Sequence, residues 1–578
     1  TAVTSVRQDI TAFHRWGAMV LKALSQVLTK TLLGTDNKDF AEDLGCLEGD
    51  APQTGHFEDV IDLLGTFGHW QRVVFIGLCM PDFLGAYAMM VVVFVGATPK
   101  WTCEQYVYRD ADLVLFKNGS EFPNSTMQCS VGNWSCSKFS FHDDFTSIVG
   151  EWDLLCSRRW IISLISSIQM IGLATGAGLF GYLADWFGRK KCYFFCVFIM
   201  CVGGIGSGFT YHWILYAVTR FVVGFGFGSY MVVNCVYPLE FVGPRWRTLC
   251  GTLGFWAIGI MILAVYGYFI REWRHLVITT SASGLIFLIF WIIVPESPRW
   301  LLQRGKIDEA YQIVHKIAKK NGVATPDRQV LERVAQESKQ EEATERMYTY
   351  LDLFRTREYA KRTVVVMCFW FYGFIAYYTL SYNMRTLAGN RYLNMFLGGF
   401  VDLPAMFSVI LFNSVLGRRG ALLLYLSITM ATEVCVIGVY AADYHGLPIY
   451  NLPGITLAFA LVGRASALAI TYVMQIHTAE LYATVVRNLG MGAGAVAGRT
   501  GGILAPQMVL LGTYMQLAPY VICLMLGLLF FGLAFYLPET RGVPLEELPP
   551  SVRKPQDTLS AKAASVNGVE LENPTQKF

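Results

Sequence analysis

Charge is scarce in this sequence. Only 15% of its 578 residues are Asp, Glu, Lys or Arg, against about 25% in soluble domains. That shortage argues against the two to four soluble domains that the length alone would suggest. An excess of either sign is missing too. The net charge is +3, and the basic residues sit in loops rather than along one stripe, so no nucleic-acid partner is expected. The first ~68 residues are polar or amphipathic, so no cleavable secretory signal is expected either. No nucleophile, base or metal-ligand set converges anywhere outside the apolar runs. Cys192, Cys196 and Cys201 share an apolar stretch with no His or carboxylate beside them, and Cys in such a place behaves as a small hydrophobe. These absences exclude an enzyme, a metal site and a bound cofactor from the expectations.

Apolar residues are abundant, 54% of the chain, and they come in long runs. Between two of them, Trp160–Ala184 and Cys192–Thr210, lies Gly181-Tyr-Leu-Ala-Asp-Trp-Phe-Gly-Arg-Lys-Lys191. A tight, positively charged turn between two spans belongs at the cytoplasmic membrane face. Asn413-Ser-Val-Leu-Gly-Arg-Arg419 stands in the same setting later. Downstream of the first turn come Glu240 and Arg247, then Pro295-Glu296-Ser297; downstream of the second come Glu480 and Arg487, then Pro538-Glu539-Thr540. The spacing of seven recurs in both pairs. The chain therefore reads as two related halves of about six spans each, the pattern of a secondary transporter built from repeats.

The runs give an all-α membrane protein with about 12 transmembrane helices. Residues 1–68 form a cytoplasmic segment, in which Phe13, Trp16, Val20, Leu24, Val27 and Leu28 recur at the spacing of a helix lying on the inner leaflet. Residues 69–298 form the first six-helix half, 299–362 a polar cytoplasmic connector, 363–537 the second half and 538–578 a cytoplasmic tail. Within the connector, Ile307, Ala310, Ile313, Val314 and Ile317 predict one amphipathic helix.

After the first span, Val73–Ala97, a long polar loop runs over residues 98–157. It carries three N-glycosylation acceptors, Asn118, Asn124 and Asn133, and no other occurs in the chain. It also holds Cys103, Cys129, Cys136 and Cys156, expected to form two disulfides in an oxidising compartment, with the pairing open. Three acceptors confined to one Cys-rich loop place it on the outer face. Both termini and the 181–191 turn are then cytoplasmic, in agreement with the positive charge of that turn.

These landmarks resemble the major facilitator superfamily. Over residues 57–545 the chain resembles, more narrowly, the organic cation, organic anion and carnitine transporters of solute carrier family 22. The resemblance is carried by Phe57-Glu-Asp-Val and Gly65-Thr-Phe-Gly-His-Trp-Gln71, by the glycosylated loop, and by Glu240-Phe-Val-Gly243. Val401-Asp-Leu-Pro-Ala405 and Ala479-Glu-Leu-Tyr482 with Arg487-Asn-Leu-Gly490 carry it further. Leu387-Ala-Gly-Asn-Arg-Tyr-Leu-Asn394 is most similar to carnitine-type members. Ser414 and Ala483 depart from the family, which has Asp and Pro at those places.

The resemblance implies that Arg499 occupies the position of an Arg in anion and carnitine carriers, where cation carriers have Asp, and that Asp402 is the family's cavity acid. The residues support both. Arg499 falls inside the eleventh span, where an arginine needs a partner or a wet cavity, and Gly492, Ala495 and Gly502 leave room on its face. Gly490, Gly494, Gly498 and Gly502 form an adjoining ridge for close helix packing. Asp402 precedes Pro404, whose ring frees a backbone carbonyl. Asp82 in the first span and Glu433 in the ninth are further acids at depth; each either binds a substrate ammonium, carries a coupling proton, or pairs with Arg220 or Arg464. Trp370, Phe374, Tyr377 and Tyr378 share a face of the seventh span, an aromatic wall suited to an ammonium group.

Asp185, Gly188, Arg189, Glu240, Arg247 and Glu296 are expected to form a cytoplasmic charge cluster, with Asp185 set against a helix N-terminus of the other half. Arg418, Glu480, Arg487 and Glu539 mirror it. Both clusters read as latches of an alternating-access cycle. The expected function is transport of small organic ions across the plasma membrane by a monomer embedded in the lipid bilayer, zwitterions or anions favoured over simple cations. The coupling ion, Na+ or a proton, stays open. The rivals are a sugar-porter-like carrier, disfavoured by the charged cavity candidates, and a receptor or transceptor that does not transport.

Overall fold

The apolar runs are helices, and their lengths suit a bilayer. The computed structural model of the protein describes residues 57–110, 113–118, 129–131, 133–142, 145–243, 246, 254–344, 349–385, 389–445, 452–483 and 486–541. The expected inner-leaflet helix over Phe13–Leu28, the tail beyond 541, Asn124 and Arg247 lie outside the described residues.

Among the described residues nine helical stretches are long and apolar enough to cross a membrane. The first is interrupted: α1 (Phe57–Leu63) leads to α2 (His69–Cys79), which Pro81 separates from α3 (Asp82–Met90). Then follow α4 (Trp160–Phe187), α5 (Arg189–Gly208), α6 (Trp213–Val236), the shorter α7 (Trp256–Phe269) and α8 (Trp273–Ser283). The connector contributes α9 (Ile307–Asn321) and α10 (Arg328–Thr344). The second half has α11 (Arg357–Asn383), α12 (Arg391–Tyr444), α13 (Leu452–Leu481), α14 (Arg487–Tyr514) and α15 (Ala518–Leu533). At 54 residues α12 would run about 80 Å as one helix, far beyond a ~30 Å hydrocarbon core. Gly417, with φ 77° and ψ 175°, breaks it into two spans. With that division, and with α7 and the glycine-rich α14 added, the described helices make twelve, the expected number.

The chain folds as two compact units. One comprises the residues up to Glu345 together with Met384–Met406; the other comprises Arg346–Asn383 and the residues from Phe407 onward. The connector up to Glu345 thus belongs to the first unit. α9 buries Ala310, Val314, Ile317 and Ala318 as its periodicity predicts. Asn321 at its end holds the start of the first span: it accepts from the Trp70 N–H (3.2 Å) and donates to the Leu64 carbonyl (2.9 Å) and Gln71 Oε1 (2.8 Å).

Within each unit glycines set the helix spacing. A Cβ on Gly224 or Gly228 of α6 would fall 2.0 or 1.9 Å from the Gln169 or Leu173 carbonyl oxygen of α4. On Gly172 and Gly176 of α4 it would meet the Phe221 and Phe225 carbonyls just as closely. Only small residues allow backbones this near, and in a bilayer such packing drives helix association. In the second unit Gly494, Gly498 and Gly501 of α14 receive Trp370, Phe374 and the Phe371 carbonyl of α11. Gly494 and Gly498 of the ridge read from the sequence are therefore packing positions, and Gly501 beside them is another.

The 98–157 stretch is more ordered than a loop. It holds an antiparallel sheet in the order β2-β1-β4-β3, from β1 (Trp101–Asp110), β2 (Leu113–Asn118), β3 (Ser130–Val131) and β4 (Trp134–Phe141). Cys103 joins Cys136, and Cys129 joins Cys156. The first bond ties β1 to β4; the second ties the start of β3 to the turn that leads into α4. Asn133 is exposed at the β3–β4 turn, and Asn118 ends β2.

Candidate functional site

The turn residues assemble first, because glycine lets the chain reverse there. Gly188 has φ 102°, a region that disfavours side chains, and a Cβ on it would lie 2.5 Å from Glu296 Oε2. The Lys190 and Ser297 N–H groups donate to Glu296 Oε1 at 2.9 and 3.1 Å. Arg189 pairs with Asp185 one helical turn earlier and donates from Nε to Glu240 Oε1 at 3.3 Å. The Asp185 carbonyl accepts from Trp300 Nε1 and from Arg304, at 2.8 and 2.7 Å. Asp185 thus engages Arg189, Trp300 and Arg304 of its own unit.

The second unit repeats this arrangement. Gly417 takes φ 77°, and its Cβ would lie 2.6 Å from Glu539 Oε2. Glu539 accepts from the Arg418, Arg419, Thr540 and Arg541 N–H groups at 2.9–3.0 Å. Burial opposes its charge, but these backbone donors outweigh that and hold its carboxyl below the ordinary value of 4.5. Arg418 forks onto Glu480, Nε to Oε2 at 2.8 Å and the other nitrogen to Oε1 at 2.6 Å. Where the first turn has Asp185, Ser414 bonds only its own helix, at the Leu411 carbonyl. Without a second acid there, Arg418 gives its remaining nitrogen to the Asn413 carbonyl at 3.4 Å. Arg487 is half-buried and makes no bond to this cluster; its Nε and one terminal nitrogen find no partner among the described residues.

The cavity candidates divide between the units. Asp402 is fully buried in the first, ahead of Pro404 within α12. Asp82 opens α3 in the same unit and accepts from Tyr230 (2.8 Å), from Asn234 (3.2 Å) and from the Phe255 N–H. Arg499 lies near the midpoint of the 28-residue α14 in the second unit, half-buried, with Tyr378 as an electrostatic neighbour. Trp370, Phe374 and Tyr378 run along α11 with successive ring centroids 6.1 Å apart, and Tyr377 sits 5.5 Å from Tyr378. Trp370 donates to Thr478 at 3.0 Å.

One set of pairings is corrected. Arg220 does not pair with Asp82: it donates to Gln169 Oε1 (2.9 Å) and to the Ala88 carbonyl. Arg464 does not pair with Glu433: it donates to Ser381 (2.8 Å) and Tyr377 (3.0 Å), with its guanidinium over the Tyr377 ring. Buried guanidinium is satisfied here by neutral acceptors. Gln169 and Ser381 carry structure that no motif flagged, since uncharged polar residues inside apolar runs look alike in sequence; Asn321 does so from the end of the polar connector helix.

Twelve spanning helices among the described residues, two units with repeated turn clusters and charged side chains at mid-helix fit a multi-pass membrane transporter. The family model for sugar (and other) transporters matches residues 133–551. The organic cation transporter protein of Drosophila melanogaster is 32% identical over 85% of this chain and 93% of its own length. Solute carrier family 22 member 4 of mouse is 30% identical, over 90% and 98%, and human organic cation/carnitine transporter 2 is 30% identical, over 85% and 93%. The chain belongs to solute carrier family 22, within the sugar (and other) transporter family. Among solved structures, the inward-open xylose transporter XylE of E. coli covers 83% of this chain at 17% identity with a TM-score of 0.58, which shows the shared major facilitator fold. The chain is accordingly a transporter of small organic solutes rather than an enzyme.

Proposed function

We propose that the protein is an alternating-access carrier of small organic ions at the plasma membrane, favouring zwitterions of the carnitine or β-amino acid type, or organic anions, over simple cations. The observation that carries this reading is Arg499, a half-buried guanidinium at mid-helix beside Tyr378. Guanidinium binds carboxylate through two parallel hydrogen bonds, a geometry that rewards a substrate carboxylate and repels a bare cation. Asp402 and Asp82 in the first unit, and the aromatic row of Trp370, Phe374, Tyr377 and Tyr378 in the second, are each by themselves suited to an ammonium group. The name of the human relative pairs organic cations with carnitine, and Arg499 favours the carboxylate-bearing member of that pair.

The two turn clusters, Asp185–Gly188–Arg189–Glu240–Glu296 and Arg418–Glu480–Glu539, act as cytoplasmic latches; Arg247 and Arg487 belong with them by their place in the repeat. The termini are cytoplasmic, the disulfide-bonded sheet is extracellular and glycosylated, and a single chain forms the transport unit. An N-glycosidase should shift the mobility of the protein, and joint replacement of Asn118, Asn124 and Asn133 should abolish the shift; a shift that survives contradicts the orientation. The substrate reading is tested by uptake into proteoliposomes with L-carnitine, glutarate and tetraethylammonium in competition. It expects L-carnitine or glutarate to be preferred, and preference for tetraethylammonium overturns it.

A further inference from the structure

Glu433 stands in the second span of α12, past the Gly417 break. It is 2% exposed, and neither carboxylate oxygen has a hydrogen-bond partner among the described residues. Asp82, by contrast, has three donors. Among the described residues, the titratable groups that face Glu433 are Tyr372 of α11 and Tyr520 and Cys523 of α15, none of which can supply a positive charge. Tyr372 is itself buried with an unpartnered hydroxyl, set against Gly527 of α15 and Met430, one turn before Glu433. α13 packs against the neighbouring Thr432 through Gly463. The cation that α13 carries there, Arg464, is turned to Ser381 and Tyr377 instead.

An ionised carboxylate is not stable in such a place. Low dielectric disfavours the charge, and among the described residues no cation pairs with it and no donor solvates it, so the group takes the neutral acid form. A neutral acid inside a transporter is a store for one proton. We propose that Glu433 is a proton-binding carboxyl that links transport to proton movement. In the packing described here it holds its proton. When the helices around it part during turnover, the O–H bond breaks to water and leaves the carboxylate, and it re-forms by taking a proton from water on the return; no electrons move. This rests on the chain being a transporter but not on which organic ion it carries.

Infrared difference spectroscopy on the purified full-length protein reads the proton without a substrate. The wild type is expected to show the carbonyl stretch of a buried protonated carboxyl at neutral pH, lost in Glu433→Gln and kept at a shifted position in Glu433→Asp. In proteoliposomes an imposed gradient of one pH unit should drive up to about tenfold accumulation for one proton per substrate. That holds for whichever of L-carnitine, glutarate or tetraethylammonium the wild type takes up. Glu433→Gln should lose the gradient response while keeping counterflow of the same probe. An infrared band unchanged in Glu433→Gln, or an equal gradient response in that variant, overturns the proposal. A wild type that accumulates none of the three probes contradicts the substrate reading instead, and the infrared comparison then decides the proton reading by itself. If Glu433→Gln is not recovered, Glu433→Asp decides: a band that does not move overturns the proposal.

Discussion

Gly188 and Glu296 touch across more than a hundred residues of chain: a Cβ on the glycine would stand 2.5 Å from the carboxylate. Gly417 and Glu539 repeat the relationship at 2.6 Å. Both glycines combine positive φ with a carboxylate in the place of a side chain, so alanine is refused twice. Gly188→Ala and Gly417→Ala should each destabilise the purified protein by about 1–3 kcal/mol, the cost of strained backbone, read as a lower unfolding temperature. Gly181, also near the first turn, has open space at its Cβ; Gly181→Ala should leave that temperature almost unchanged. Equal effects at 181 and 188 would remove the argument.

Arg189 serves two acids of unequal burial. Asp185 is largely exposed, with 58% of its side chain open, while Glu240 is 8% open. Asp185→Asn should therefore cost less than about 1 kcal/mol of stability. Arg189→Ala removes the cation bonded to buried Glu240, leaving Arg299 as the other positive charge near it, and should cost about 3 kcal/mol. If the cluster is a latch, Asp185→Asn will also lower maximal transport more than it weakens apparent binding, because a ligand acts on such an equilibrium only through differential affinity. Normal maximal transport in that variant at normal surface abundance would remove the latch.

Much of this was legible in the sequence, because the repeated features are covalent patterns. Arg189 and Arg418, Glu240 and Glu480, Glu296 and Glu539 carry the same bonds at the same places, and spacing alone had paired them. Ala310, Val314 and Ile317 likewise announced the buried face of α9. The β1–β4 sheet was missed because its strands are half-polar, and the Cys and Asn residues in and beside them drew the reading toward a loop. The partners of Arg220 and Arg464 were misjudged for a different reason. Charge complementarity suggested acids, whereas Gln169, the Ala88 carbonyl, Ser381 and Tyr377 satisfy guanidinium without burying a second charge. Such choices depend on which atoms fall within 3 Å, and one-dimensional patterns do not carry that.

Glu539 gives the second turn a pH dependence of definite sign. Its folded carboxyl titrates below the ordinary 4.5 because four backbone N–H groups favour the charged form over the opposing effect of burial. A depressed carboxylate contributes stability that is full above the unfolded value and is lost as pH falls through the folded one. The unfolding temperature should therefore fall as pH drops below about 4.5, and Glu539→Gln should be less stable at neutral pH with a shallower acid slope. Parallel acid slopes in wild type and variant would show that Glu539 contributes nothing to them.

The central claim is that Arg499 selects substrates by their carboxylate, and initial-rate uptake by Arg499→Lys and Arg499→Asp tests it most directly. Lysine keeps the charge but not the fork. Loss of one charge-assisted bond, about 1.5–3 kcal/mol, should lower kcat/KM for L-carnitine or glutarate by roughly tenfold to a hundredfold. Arg499→Asp should abolish uptake of both and leave tetraethylammonium the better substrate. Normal carboxylate uptake by Arg499→Lys, at normal surface abundance, would contradict the account.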